Sequence, residues 1–190
     1  MAGLSVVGIS GNITRPSKTL GFVELLSERL AGEIGATSSC HDIEDLGPSF
    51  PAARRLDHLD ASARSIVEQV STATALVVGS PTYKGSYTGL FKHFFDLLDP
   101  AALRGKPVIL LATGGGERHS LIVEHQLRPL FGFFEALTMP TAIYASDKDF
   151  LNGLLASEAI EMRVERAIDE ACSAVRHASR QPEARLRASR

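Results

Sequence analysis

Short apolar runs bounded by turn residues alternate along this chain with stretches of helical spacing, the pattern of successive βαβ units and a mostly parallel sheet. Leu4-Ser-Val-Val-Gly-Ile9 predicts a first strand, and Leu20 to Glu33 a helix with Phe22, Leu25, Leu26 and Leu30 on one face. Thr37–Asp42 predicts a second strand, short and polar. Ser62 to Thr72 places Ile66, Val67 and Val70 inward and leads to a buried strand, Ala75-Leu-Val-Val-Gly79. Gly89 to Leu98 reads as the next helix, Pro107-Val-Ile-Leu-Leu-Ala112 as another buried strand, and His119 to Leu137 as one long helical stretch. Pro140-Thr-Ala-Ile-Tyr-Ala145 closes the sheet, and Ser157 to Ala178 makes a final helix with Ile160, Val164, Ile168 and Val175.

Five parallel strands with helices on both faces make an α/β, flavodoxin-like arrangement. With 190 residues, 44% hydrophobic and 22% charged, the chain fits a single core, so residues 1–178 are expected to be one domain and the Arg-rich stretch 179–190 a disordered tail. A net charge of −2 shows no nucleic-acid footprint and no basic membrane patch. Cys40 and Cys172 stand far apart, with no second cysteine or histidine spaced for a metal site, which predicts reduced packing thiols in a cytoplasmic protein. The first residues carry no basic segment ahead of their apolar run, and that run is far too short to cross a bilayer.

In an open α/β sheet, ligands lie outside the carboxyl ends of the strands, where loop backbone and helix N-termini offer unpaired N–H groups. Three loops here carry ligand chemistry. The turn Ser80-Pro-Thr-Tyr-Lys-Gly-Ser-Tyr-Thr-Gly89 follows a buried strand and precedes a helix. Gly79, Gly85 and Gly89 let a flat ligand approach the main chain, Tyr83 and Tyr87 offer aromatic faces, and Lys84, Ser86 and Thr88 offer hydrogen bonds. An ordinary strand-to-helix connection has the same turn residues. In the first loop, the hydroxyls of Ser10, Ser17 and Thr19, the free amides of the following helix, and the cations Arg15 and Lys18 suit a phosphate monoester. The spacing is neither a dinucleotide fingerprint nor a Walker loop, and a capped helix with solvent-facing cations is the alternative. In the third loop, Thr113-Gly-Gly-Gly-Glu-Arg-His119, consecutive glycines at a strand end turn backbone amides toward something close by, or else form a flexible connection; His119 reaches the same ligand or caps the turn.

Taken together, Gly8-Ile-Ser-Gly11 with Arg15, Ser17 and Thr19, the run Ser80 to Lys92, and Ala112-Thr-Gly-Gly-Gly116 resemble the NAD(P)H-dependent FMN reductases of the flavodoxin-like fold. Among these the chain is most similar to the reductases that serve alkanesulfonate and methanesulfonate monooxygenases. The likeness covers residues 4–150, and Pro81, Tyr83, Ser86, Gly89 and Lys92 follow its most specific pattern. It implies that Ser10, Arg15, Ser17 and Thr19 hold the FMN phosphate. Pro81, Thr82, Tyr83, Lys84 and Ser86 would line the ribityl chain and ring, and Thr113, Gly114, Gly115, Gly116 and His119 would flank the ring edge. It further implies hydride transfer from NADH or NADPH to N5 of FMN, with reduced flavin passing to a partner flavin-dependent monooxygenase. No side-chain nucleophile and no metal are expected, since flavin supplies the chemistry. A quinone or azo-dye reductase with tightly held FMN, and a non-enzymatic electron carrier, use the same fold.

Pro129 lies in the predicted long helix and cannot donate to the carbonyl of His125, four residues back, so the helix must bend or widen there. A π-bulge is one solution. In the sulfonate-system reductases a residue inserted near this place, tyrosine in some members, makes a π-helix at the subunit interface; the matching position here is His125, a departure from that pattern. Phe91, Phe94, Phe95, Leu97 and Leu98 crowd one helix, and Phe131, Phe133 and Phe134 another. These side chains either fill the core or build a homo-dimer or homo-tetramer, the assembly the resemblance implies.

Overall fold

The apolar runs form the middle of one sheet. In the computed structural model, which describes residues 3–180, β1 (Ser5–Ser10), β3 (Ala75–Pro81) and β4 (Pro107–Gly114) are buried almost throughout. That is the signature of parallel strands covered on both faces. β2 (Thr37–Asp42) has the bounds its polar sequence predicts and lies on the edge, where one side needs no apolar cover. All pairings within this sheet are parallel, in the order β2-β1-β3-β4-β5, and both β5 (Leu137–Thr138) and β6 (Ile143–Ser146) pair with β4. This is the flavodoxin-like order, with its switch point between β1 and β3.

Two cores flank the sheet. On one face α1 (Lys18–Ile34) and α5 (Glu158–Arg180) bury Phe22, Leu26, Leu30, Val164 and Ile168. On the other, α2 (Ala61–Thr72) and α3 (Gly89–Asp96) pack with Phe131 and Phe134. Segment 44–60, which carries no recognisable motif, covers this second core with Leu46, Phe50, Ala53 and Leu59. Phe91, Phe94 and Phe95 are therefore buried within one chain, Phe95 meeting Phe131 at 4.9 Å between ring centroids, and Leu97 and Leu98 join them. Of the crowded phenylalanines only Phe133 stays out, 67% exposed.

Polar side chains start the helices. Ser17 caps α1, Asp60 caps α2 and Thr88 caps α3, each accepting from an amide of the first turn. Gly35, with φ 65°, ends α1 in the left-handed conformation that glycine favours.

The stretch His119 to Leu137 is not one helix. Glu117–His119 is a single 3₁₀ turn, Val123–Leu127 is a π-helix, α4 covers only Arg128–Phe133, and Leu137 opens β5. Pro129 withholds the N–H that a continuous α-helix would use, and pairing with β4 outweighs helical spacing at the far end. The last strand is split by Pro140 into β5 and β6. An unpredicted hairpin, β7 (Phe150–Leu151) with β8 (Leu154–Leu155), precedes α5. Helix α5 runs to Arg180, two residues past the expected end of the domain; residues 181–190 of the expected tail lie outside the described residues. Among the described residues no helix is long and apolar enough to cross a membrane.

Candidate functional site

Register brings the strand ends together, since Ser10 lies opposite Asp42 and Gly79, Pro81 opposite Thr113, and Gly114 opposite Ser146. β3 and β4 each extend two residues past the predicted limit, so Pro81, Thr113 and Gly114 are strand residues. The first loop leaves β1 through Gly11, whose N–H donates to Gly79 O at 2.8 Å and whose carbonyl accepts from Thr88 Oγ1 at 2.6 Å. A Cβ at Gly11 would stand 2.7 Å from the Phe91 ring, so only glycine passes there. Ser10 Oγ donates to Asn12 Oδ1 at 2.6 Å, and Asn12 Nδ2 donates to Asp42 at 2.7 Å. Ser17 Oγ accepts the Leu20 amide, while the amides of Lys18 and Thr19 have no partner within the helix. These open donors, with the positive end of the helix dipole behind them, fit an anion.

The loop cations are already matched. Arg15 Nε and Nη2 donate to the two oxygens of Asp42 at 2.7 and 2.6 Å, and Nη2 also reaches Asp45 at 2.7 Å. Asp42 has no exposed side-chain surface. Burial alone would push its carboxyl up, but hydrogen bonds from Arg15 and Asn12, the Arg15 charge and the Asp45 amide together hold it below the usual carboxylate range. The Arg15 guanidinium is correspondingly held further in its charged form by the hydrogen bonds of Asp42 and Asp45. Lys18 Nζ donates to Asp147 Oδ1 at 2.9 Å. Nearby on β2, burial pushes the Cys40 thiol up to about 12, which leaves it without nucleophilic character.

Beyond β3 the chain makes a two-residue hairpin. Tyr83 N–H donates to Ser86 O at 2.8 Å and Ser86 N–H to Tyr83 O at 3.1 Å. Between them Lys84 (φ 53°) and Gly85 (φ 85°) are both left-handed, as a type I′ turn requires. Tyr83 is 43% exposed, whereas Tyr87 packs on Phe91. Thr82 donates through both its amide and its hydroxyl to Thr113 O, each at 2.8 Å, and Thr113 Oγ1 meets Thr19 Oγ1 at 2.6 Å. Ser86 Oγ donates to Gln126 Oε1, on the π-helix, at 3.1 Å.

None of the three consecutive glycines has a positive φ. Gly114 is small because a Cβ would collide with the Tyr144 hydroxyl, which itself donates to Gly116 O at 2.5 Å. Burial raises the Tyr144 phenol above its ordinary value, so it keeps the proton it donates. A Cβ at Gly116 would meet nothing within 4 Å, so the space beside this backbone is open. His119 ends the following turn, exposed to solvent.

His125 is exposed at the middle of the π-helix. The Arg128 amide closes that helix on Val123 O, five residues back. Arg128 makes a bidentate pair with Glu124, holding that carboxyl low, and donates to Thr138 Oγ1, Met139 O and Pro140 O where the last strand breaks.

Ser10, Arg15, Ser17, Thr19, Pro81–Ser86 and Thr113–Gly116 thus converge at one carboxyl edge, while His119 and His125 stand exposed on the chain that follows. Asn12, Asp42, Asp45, Tyr144, Asp147 and Gln126 belong to the same edge and escaped the sequence reading. Of these, Asp42 and Asp147 carried a signal in their place at the end of a strand. Hydroxyls and open amides at a helix N-terminus fit a phosphate ester, and the Tyr83 face and the open side of Gly116 fit a flat ring.

Comparison with known proteins agrees with this chemistry. Residues 4–150 match the NADPH-dependent FMN reductase family. The chain is 41% identical over 168 residues to the NADH-dependent FMN reductase SfnF of Pseudomonas fluorescens, covering 88% of this chain and 90% of that protein. It is also 41% identical over 166 residues to an FMN reductase (NADPH) of Pseudomonas aeruginosa, covering 87% and 89%. Among solved structures, an oxidoreductase from Corynebacterium diphtheriae superposes with a TM-score of 0.82 at 31% identity, over 92% of this chain and 98% of that one. The chain belongs to the NADPH-dependent FMN reductase family, oxidoreductases of FMN and a reduced nicotinamide dinucleotide.

Proposed function

We propose that this protein reduces FMN with NADH or NADPH and releases the reduced flavin to a partner flavin-dependent monooxygenase of the sulfonate type. The observation that carries this reading is the convergence of an anion-binding helix start, a hydroxyl-bearing hairpin and an open glycine edge at one end of the sheet. Bound flavin would supply the chemistry, as acceptor of the hydride that the nicotinamide carries. The protein binds and orients. Ser17, Thr19 and the amides of Lys18 and Thr19 receive the phosphate, Ser10, whose one proton goes to Asn12, shapes the loop beneath it, and the Nη1 edge of Arg15, engaged by neither carboxylate, adds positive charge beside it. Pro81, Thr82, Tyr83, Lys84 and Ser86 line the ribityl chain and ring, and Thr113, Gly114, Gly115 and Gly116 flank the ring edge, with His119 at its outer rim. Holding the two rings in contact replaces a bimolecular encounter with an oriented one.

With Arg15 and Lys18 already paired to aspartates, the phosphate is received mainly by neutral donors, which favours exchangeable flavin over a permanently held group. Leu121, 58% exposed, and Phe133, 67% exposed, flank the π-helix and α4 and favour a homo-dimer or homo-tetramer built there, with His125 at the contact. The free thiols of Cys40 and Cys172 fit a cytoplasmic setting.

The test is nicotinamide oxidation, followed by absorbance, with and without added FMN. Rapid oxidation only when FMN is added to a colourless preparation supports the two-component reading. A yellow protein that reduces quinones without added FMN replaces it with a quinone reductase, and no nicotinamide oxidation under either condition leaves an electron carrier.

A further inference from the structure

The hydroxyl of Ser86 is held from outside its own loop. Within the hairpin, the backbone pairs of Tyr83 and Ser86 fix the turn, but the Ser86 side chain donates to Gln126 Oε1, 40 residues further on, at 3.1 Å. Both residues are half-buried, so the bond is partly shielded from competing water. Gln126 lies in the π-helix Val123–Leu127, and that helix is anchored on its other side: Arg128 bonds Glu124 and also Thr138 Oγ1, Met139 O and Pro140 O of the broken edge strand. One residue of α-helix turns a side chain by about 100°. The wider π-turn therefore sets the direction of Gln126 relative to an Arg128 fixed on the sheet edge.

We infer that Gln126 is a positioning residue for flavin: its side-chain carbonyl orients the Ser86 hydroxyl and holds the Tyr83–Ser86 hairpin, so that flavin affinity depends on the π-helix. This rests on the assignment of the hairpin to the FMN ring and ribityl chain. The Ser86 hydroxyl has one proton; given to Gln126, it leaves the oxygen lone pairs turned toward the ligand side as acceptors for a ribityl hydroxyl. Without Gln126 the hydroxyl rotates freely and the exposed Lys84–Gly85 tip loses its side-chain tether.

Four variants of the full chain test the assignment, with FMN dissociation constants from quenching of flavin fluorescence, steady-state kinetics, and thermal melts as a check on folding. Gln126→Leu keeps the volume and removes the acceptor, and it raises the FMN dissociation constant and KM about three- to tenfold, the size of one neutral hydrogen bond, with kcat within about twofold. Gln126→Glu restores the acceptor and returns the affinity to within about twofold of the parent, a rescue that a merely space-filling role would not give. In a Ser86→Ala background Gln126→Leu has no further effect, because the hydroxyl it would orient is gone. Parent-like affinity in Gln126→Leu, failure of Gln126→Glu to rescue, or additive losses in the double variant each overturn the inference. A parent protein that binds no FMN overturns instead the reading on which it rests.

Discussion

Replacing Arg15 with alanine separates two roles that this residue has at the sheet edge. Its Nε and Nη2 bond both oxygens of Asp42, whose side chain has no exposed surface. Without Arg15 that carboxylate keeps only Asn12 and the amides of Glu44 and Asp45 as donors. Breaking a fully buried ion pair costs about 3–5 kcal/mol. Here Arg15 is 47% exposed and three donors remain to Asp42. The expected loss is therefore about 1–2 kcal/mol, or about 2–8 °C in Tm for a chain of this length. The pH dependence has a definite sign. In the parent the Asp42 carboxyl is held low, so its stabilisation is complete above the unfolded carboxylate range and disappears as pH falls through the folded value. In Arg15→Ala, burial becomes the dominant influence and pushes the carboxyl up, so the charged form opposes folding and protonation relieves it. The gap between parent and variant is widest near neutral pH, narrows as pH falls through the ordinary carboxylate range, and closes only below the depressed value that Asp42 has in the folded parent. Urea melts across this range measure it, and adding Asp42→Asn removes the orphaned charge and recovers most of the stability. Flavin titration then probes phosphate binding, because the stable double variant still binds FMN more weakly if Arg15 faces the phosphate. A loss independent of pH, or no loss, refutes the buried-charge reasoning, and an unchanged FMN dissociation constant in Arg15→Ala removes Arg15 from the phosphate site.

Three other substitutions test separate parts of the structure. A Cβ at Gly79 would stand 2.6 Å from Leu111 Cδ1 and from Val23 Cγ2 in the middle of the sheet, so Gly79→Ala lowers unfolding free energy by about 1–3 kcal/mol in urea melts. Lys84 adopts a φ of 53° at a turn position that prefers asparagine, so Lys84→Asn stabilises the fold by up to about 1 kcal/mol. If the same variant binds FMN as tightly as the parent, Lys84 serves the turn alone. His125→Ala, at an exposed position of the π-helix, keeps FMN affinity within about twofold but changes elution volume on sizing or the rate of flavin release; parent-like behaviour in both removes His125 from the subunit contact.

The central strands were legible because burial on both faces demands continuous apolar runs, which β1, β3 and β4 supply. Strand ends were less so. Ser80-Pro81 and Thr113-Gly114 read as loop, yet the pairing of Pro81 with Thr113 carries the sheet through them, a long-range effect that no local propensity records. Helical spacing overran the segment 119–137 because Leu137 and Thr138 take their conformation from β4, while Pro129 correctly marked where a regular helix fails. In the candidate site, the placing of hydroxyls and glycines at one sheet edge was legible because each follows an apolar run that had to be a strand. The partners of those residues were not. Arg15 reads as a free cation until the fold brings Asp42 to it across 27 residues, and Lys18 until Asp147 arrives across 129.

The same long-range bonds make one frame of what the sequence presents as three loops. Thr113 is its node, since its hydroxyl meets Thr19 of the phosphate loop while its carbonyl takes both donors of Thr82. Gly11 ties the phosphate loop to Gly79 and to Thr88, and Tyr144 fixes the glycine edge through Gly116. A displacement at the proposed phosphate end is therefore resisted by part-buried hydrogen bonds at the proposed ring end, the preorganisation that hydride transfer between two rings requires. Flavin that must enter and leave needs some part of such a frame to open. The Tyr83–Ser86 hairpin meets that need, because among the described residues the side-chain hydrogen bond that joins it to the rest of the molecule is Ser86 to Gln126, and releasing it costs no more than one neutral hydrogen bond. In the proposed flavin site, phosphate recognition and exchange of the flavin thus rest on different hydrogen bonds, and the one proposed for exchange, Ser86 to Gln126, ends on the π-helix.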